Sequence, residues 1–160
     1  MSAPDADDQA AWLVAELTRR RQTVAAAESL TAGLVCATLT RVPGSSAVLR
    51  GGLVVYATEL KHTLGGVDET LLADYGAVHP EVAAQLAQGA RRRCTADWGL
   101  GLTGVAGPDP QDGCEPGTVY IGLAGPETRA VRTLNLAGGR EEVRAGAVAA
   151  ALGLLREHLD

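Results

Sequence analysis

Apolar residues return with a helical period from about Asp8 to Arg21, where Ala11, Trp12, Ala15 and Leu17 mark a first amphipathic helix. The run Thr23-Val24-Ala25-Ala26-Ala27 is short, apolar and broken off by polar Glu28-Ser29, which predicts a buried strand. Thr31 to Thr40 predicts a second helix, stopped by the turn residues Pro43-Gly44-Ser45-Ser46. Leu53-Val54-Val55-Tyr56 predicts a second strand, entered through Gly51 and Gly52. Thr58 suits the N-cap of a short helix through Leu64, closed by Gly65-Gly66.

Asp68 to Tyr75 predicts another short helix, and His79-Pro80-Glu81 opens a longer one to about Cys94, with Pro80 at its first position. Trp98 to Thr103 predicts a third strand. Gly104 to Gly117 is a Gly-, Pro- and Asp-rich loop, long enough for a compact domain to suggest function. Thr118–Ala124 and Arg129–Leu136 predict a hairpin, and Arg140 to His158 a closing helix. Helices alternate with strands early and a strand pair precedes the last helix. That order predicts an α/β fold, a three-layer α/β/α domain with a mixed sheet of about five strands.

With 160 residues, 46% of them hydrophobic, the chain is expected to form one domain over residues 1–160. Residues 1–7 are expected to be a disordered lead-in. No apolar run approaches the roughly 20 residues of a membrane span, and the acidic start lacks the order of a signal peptide. A cytoplasmic protein without a membrane partner is expected. The net charge of −5 argues against direct nucleic-acid binding as the main activity. Arg91-Arg92-Arg93 fits the last turn of a helix, where cations complement the dipole. Cys36, Cys94 and Cys114 are odd in number and irregularly spaced, which suits neither a disulfide framework nor a metal pair.

Of the 14 basic residues only one, Lys61, is a lysine. In so arginine-rich a chain it stands out chemically, because lysine can lose its proton and arginine cannot. Ser29 lies at a predicted strand-to-helix turn, where free backbone amides and a helix dipole favour a nucleophile and its oxyanion. By position alone, the commoner role of a helix cap is favoured for Ser29 or Thr31. Were the strand before Tyr56 paired beside the first strand, Lys61 would face Ser29 across the crevice where open α/β sheets bind ligands. Its expected place in the first turn of a helix, together with burial, would lower its pKa towards that of a base. His62, His79 and His158 are scattered and supply neither a triad nor a metal site. Gly99-Leu100-Gly101-Leu102-Thr103-Gly104 matches the dinucleotide fingerprint literally, but it spans the strand itself and no helix opens from it. Arg140 and Arg144 place two cations at a helix start, which an anion bound there would explain; Glu141 and Glu142 offer local compensation instead.

Several segments together resemble the CinA C-terminal domain, or nicotinamide mononucleotide amidohydrolase, family. They are Ala27-Glu28-Ser29-Leu30-Thr31-Ala32-Gly33, Pro43-Gly44-Ser45-Ser46, Gly52 through Tyr56 to Lys61, Tyr75-Gly76-Ala77-Val78, Thr103-Gly104-Val105-Ala106-Gly107-Pro108, Pro116-Gly117-Thr118-Val119-Tyr120, and Gly139-Arg140 with Val143-Arg144. The resemblance implies hydrolysis of the carboxamide of nicotinamide mononucleotide to nicotinate mononucleotide and ammonia. Ser29 would be the nucleophile, Lys61 the base, and the Tyr56 hydroxyl would steady the oxyanion or the lysine. It implies substrate-binding roles for Glu28, Thr31, Gly33, Thr103, Gly104 and Gly107, with Arg140 on the phosphate. It also implies no metal or organic cofactor, and either a homodimer or fusion behind a larger N-terminal domain. Asp109 to Glu115 departs from the family pattern, with Glu115 where lysine is usual. Two alternatives stand beside this expectation: a non-catalytic module tied to competence or DNA damage, and an amidase with another substrate.

Overall fold

The structure is a computed structural model and describes residues 4–160. Five strands form one mixed sheet in the order β2-β1-β3-β4-β5. β1 (Val24–Glu28) pairs in parallel with β2 (Leu49–Val54) on one side and with β3 (Trp98–Gly104) on the other. β4 (Thr118–Ala124) and β5 (Arg129–Asn135) extend the sheet antiparallel. The helices α1 (Ala6–Arg20), α2 (Leu34–Thr40), α3 (Thr58–Thr63), α4 (Glu69–Tyr75), α5 (Pro80–Arg93) and α6 (Arg140–Leu159) complete three α/β/α layers.

Every residue of β1 is buried, as expected of a parallel strand covered on both faces. Its alternate side chains serve two cores. Val24 and Ala26 join α1, α2 and α6 on one face. Ala25 and Ala27 join Val82, Leu86 and Ala90 of α5 on the other. The α5 face lies unusually close, because a Cβ at Gly99 or Gly101 of β3, or at Gly122 of β4, would collide with a carbonyl of Ala83 or Ala87. The glycines of the apparent dinucleotide fingerprint therefore make room for a helix.

Several boundaries differ from expectation. Of the expected lead-in, residues 1–3 lie outside the described residues, while Ala6 and Asp7 are already helical, with the Asp5 side chain capping the Asp8 amide. The buried stripe of α1 runs through Ala10, Leu13, Val14 and Leu17, whereas Ala11 and Ala15 face solvent. β2 begins at Leu49, and Gly51 and Gly52 lie inside it. A Cβ at Gly52 would stand 2.5 Å from Cys36 Sγ, so the glycine belongs to the packing of α2 on the strand and not to a turn. α2 starts only at Leu34, because Ala32 and Gly33 are left-handed, with φ of 46° and 100°. Ala57, not Thr58, is the N-cap of α3. Among the described residues no helix is long and apolar enough to cross a membrane.

Candidate active site

The parallel strands β2, β1 and β3 end together, with Glu28 in register with Val54 and Leu102. The chain leaves β1 for β2 and then crosses back to β3, so this edge is a topological switch point, where α/β sheets open a crevice. A cavity of about 520 Å³ lies there, lined by Ser29, Tyr56, Gly104, Gly107 and Arg140 among others.

Ser29 follows the last residue of β1 and is buried, and Lys61 is 2% exposed. Their side chains meet although 32 residues separate them: Lys61 Nζ donates to Ser29 Oγ at 3.1 Å. The same nitrogen lies 2.8 Å from the Val55 carbonyl and 3.2 Å from the Tyr56 carbonyl. Two carbonyls match the two N–H bonds of a neutral amine, which leaves its lone pair for the serine hydroxyl. Burial lowers the Lys61 pKa from 10.5 to about 8, against the raising pull of Asp112 and Glu59. Of the two expected causes, the helix dipole and burial, only burial acts. Lys61 sits in the last turn of α3, where the helix dipole favours a cation, so desolvation alone does the lowering.

Glu28 is 1% exposed and turns away from the cavity. Its carboxylate accepts from the Thr31 hydroxyl at 2.7 Å, the Val35 amide at 2.9 Å and the Cys36 amide at 3.2 Å. Glu28 thus closes the N-terminus of α2 from a distance, and Thr31 helps to hold it; neither lines the cavity. Gly33 supplies the left-handed turn before α2 and is also absent from the lining. The anion-favouring helix start expected behind Ser29 is therefore occupied by the protein's own carboxylate. The amides of Leu30, Ala106 and Gly107, which do line the cavity, make no hydrogen bond among the described residues. They are among the free donors of the site.

The Tyr56 hydroxyl does not reach the amine; it accepts from Arg140 Nη2 at 3.0 Å. Arg140 Nη1 donates to the Gly107 carbonyl at 2.6 Å, which fixes the guanidinium across the cavity. Arg144 is drawn elsewhere, donating to the Leu30 carbonyl at 2.9 Å. Gly104 and Gly107 line the cavity as expected, but Thr103 does not: buried, it donates to the Ala77 carbonyl at 2.7 Å. Asp112 was missed by sequence reasoning. Its carboxylate accepts from the Ala77 amide at 2.9 Å, and the Asp112-Gly113 dipeptide, a strong turn signal, was the only hint. Among the described residues no group of three His, Cys, Asp or Glu is placed to hold a metal ion.

The chain matches the CinA C-terminal domain over residues 6–159. It is 51% identical over 143 residues to a CinA-like protein of Frankia casuarinae, covering 89% of this chain and 33% of that one. A CinA-like protein of Gloeobacter violaceus is 46% identical over 158 residues, covering 97% of this chain and 37% of that one. The chain thus spans about a third of the length of the curated relatives it matches. In structure it is similar to the competence/damage inducible protein CihA of Agrobacterium tumefaciens, with a TM-score of 0.93, 31% identity and 98% of each chain covered. A competence-damaged protein (CinA) superfamily protein of Escherichia coli superposes with a TM-score of 0.92 at 28% identity, over 99% of this chain and 94% of that one.

Proposed function

Since the chain belongs to the CinA C-terminal domain family, we propose that it is an amidohydrolase that cleaves the carboxamide of nicotinamide mononucleotide through Ser29 and Lys61. The observation that carries the reading is the 3.1 Å contact between Lys61 Nζ and Oγ of Ser29, a residue that lines the cavity. A buried amine titrating near pH 8 is neutral in a useful fraction of molecules at physiological pH.

In the proposed reaction, neutral Lys61 takes the hydroxyl proton as Ser29 Oγ attacks the amide carbon. The oxyanion is held by the unpartnered Leu30 amide and by those of Ala106 and Gly107. The lysine ammonium then gives its proton to the departing nitrogen, ammonia leaves, and an acyl ester on Ser29 remains. A water molecule, deprotonated by the again neutral amine, cleaves that ester and frees nicotinate mononucleotide and the serine. Arg140, anchored on Gly107 and Tyr56, is the cation available to the substrate phosphate. A homodimer and a small nucleotide substrate, with no nucleic-acid or membrane partner, belong to the same proposal.

Purified protein is expected to release ammonia from nicotinamide mononucleotide, and Ser29→Ala to abolish the release. Lys61→Arg is expected to lose nearly all of it, since arginine keeps the charge and cannot serve as base. Full activity in Lys61→Arg would rule out the mechanism. Asp109 in the cavity lining favours a second reading, an amidase for a less anionic carboxamide. A small amide panel separates the two.

A further inference from the structure

The cavity wall from Val105 to Gln111 belongs to the long connection between β3 and β4. Its tip is a tight hairpin. Gln111 and Cys114 exchange backbone hydrogen bonds of 3.0 and 2.8 Å. Between them Asp112 and Gly113 are both left-handed, with φ of 49° and 76°. A two-residue type I′ turn asks for that geometry, and Asn-Gly satisfies it as well as Asp-Gly does. The turn alone therefore gives no reason for a carboxylate.

The carboxylate has an occupation of its own. It accepts from the Ala77 amide at 2.9 Å, across 35 residues of chain. It fits against Gly76, where an added Cβ would stand 2.8 Å from Asp112 Cγ. The Ala77 carbonyl in turn takes the hydrogen bond of Thr103 near the end of β3. The cavity wall is thus clamped to the 76–77 turn, and through it to the strand that leads into the wall.

We propose that Asp112 is a positioning residue for the Ser29–Lys61 pair: its carboxylate latches the cavity wall that faces Ser29 to the turn at Gly76-Ala77. The role rests on the amidohydrolase reading above. Two carboxylates act on Lys61, Glu59 from α3 itself and Asp112 from the connection, and both favour its charged form. Asp112 is exposed, so its field weakens with salt and is best read at low ionic strength.

The single lysine makes the test direct. Labelling with lysine carrying 13C at its ε carbon yields one side-chain signal from the full chain, whose pH titration reports Lys61 whether or not the protein turns over. Asp112→Asn keeps the turn and can still accept from the Ala77 amide, but it removes the charge. The Lys61 midpoint is expected to move to lower pH, and the acidic limb of kcat/KM to move with it. Asp112→Gly keeps the turn and removes both features. It is expected to show the same midpoint shift, with in addition faster hydrogen exchange at the Ala77 amide and a raised KM. An Ala77 amide equally protected in Asp112→Gly overturns the proposal, as does a KM there equal to that of the parent; a lowered Lys61 midpoint in Asp112→Asn with that amide still protected supports it. Faster exchange at the Ala77 amide of Asp112→Gly in a protein inert on nicotinamide mononucleotide leaves the latch standing and removes the substrate reading instead.

Discussion

The chemistry of the site concentrates in one side chain whose charge the fold disfavours. Lys61 titrates near pH 8 when folded and near 10.5 when free. Between those values the unfolded chain holds a proton that the folded chain has released. Stability from this group therefore rises with pH across that window; the gain is complete above 10.5 and is lost as pH falls through 8. The whole shift corresponds to about 3 kcal/mol. Lys61→Met carries no such linkage, so its difference from the parent isolates the amine. The stability difference between Lys61→Met and the parent, measured by urea unfolding from pH 7 to 11, is expected to move in favour of the parent by about that amount. A difference independent of pH would show that the amine is not desolvated. Lys61 was legible in the sequence because a lone lysine among arginines is a chemical distinction. The Tyr56 hydroxyl does not steady the lysine, since chain proximity brings its carbonyl to the amine while its ring reaches across to Arg140.

At the scale of elements, the start of α2 decides how the serine is presented. Sequence spacing puts the helix at Thr31, with Ser29 or Thr31 as its cap. The left-handed Ala32 and Gly33 delay the helix to Leu34, and no hydrophobic pattern signals a left-handed alanine. The postponed helix start is then served by Glu28, which reaches over from the end of β1 to the amides of Val35 and Cys36. In Glu28→Gln one carboxylate oxygen becomes an NH2 group facing donors, leaving a buried amide without an acceptor. A loss of about 1–3 kcal/mol is expected. Since the side chain lies outside the cavity lining, KM for the proposed reaction should change little in the folded protein. A large rise in KM with unaltered stability would return Glu28 to the substrate-binding role the family resemblance implied. Arg140 behaves oppositely. Its guanidinium lines the cavity, so Arg140→Ala is expected to raise KM with kcat less changed.

The whole molecule depends on two cores meeting through a sheet made thin by glycine. The order of elements announced the three layers and the mixed sheet, because alternation of helix and strand followed by a hairpin admits few other arrangements. The separation of the layers was not legible, since a glycine in a strand pattern fits a bulge, a ligand approach or a close helix equally well. The structure decides for the helix at Gly101, whose missing side chain admits the Ala83 carbonyl and lets Leu86 lie against the strand. β3 both packs under α5 and ends at Gly104 in the cavity, so the helix distance also sets where the cavity wall begins. Gly101→Ala forces backbone apart from backbone, and a loss of about 2–3 kcal/mol, or roughly 5–10 °C in Tm, is expected. Gly51→Ala is the matched control: its Cβ would meet only Cys94 Sγ, at an ordinary 3.5 Å, so its stability should stay within about 0.5 kcal/mol of the parent. Equal losses in the two variants would mean that glycine in these strands matters only through backbone preference. A loss confined to Gly101→Ala ties stability to the approach of α5, and with it the placement of the wall that faces Ser29.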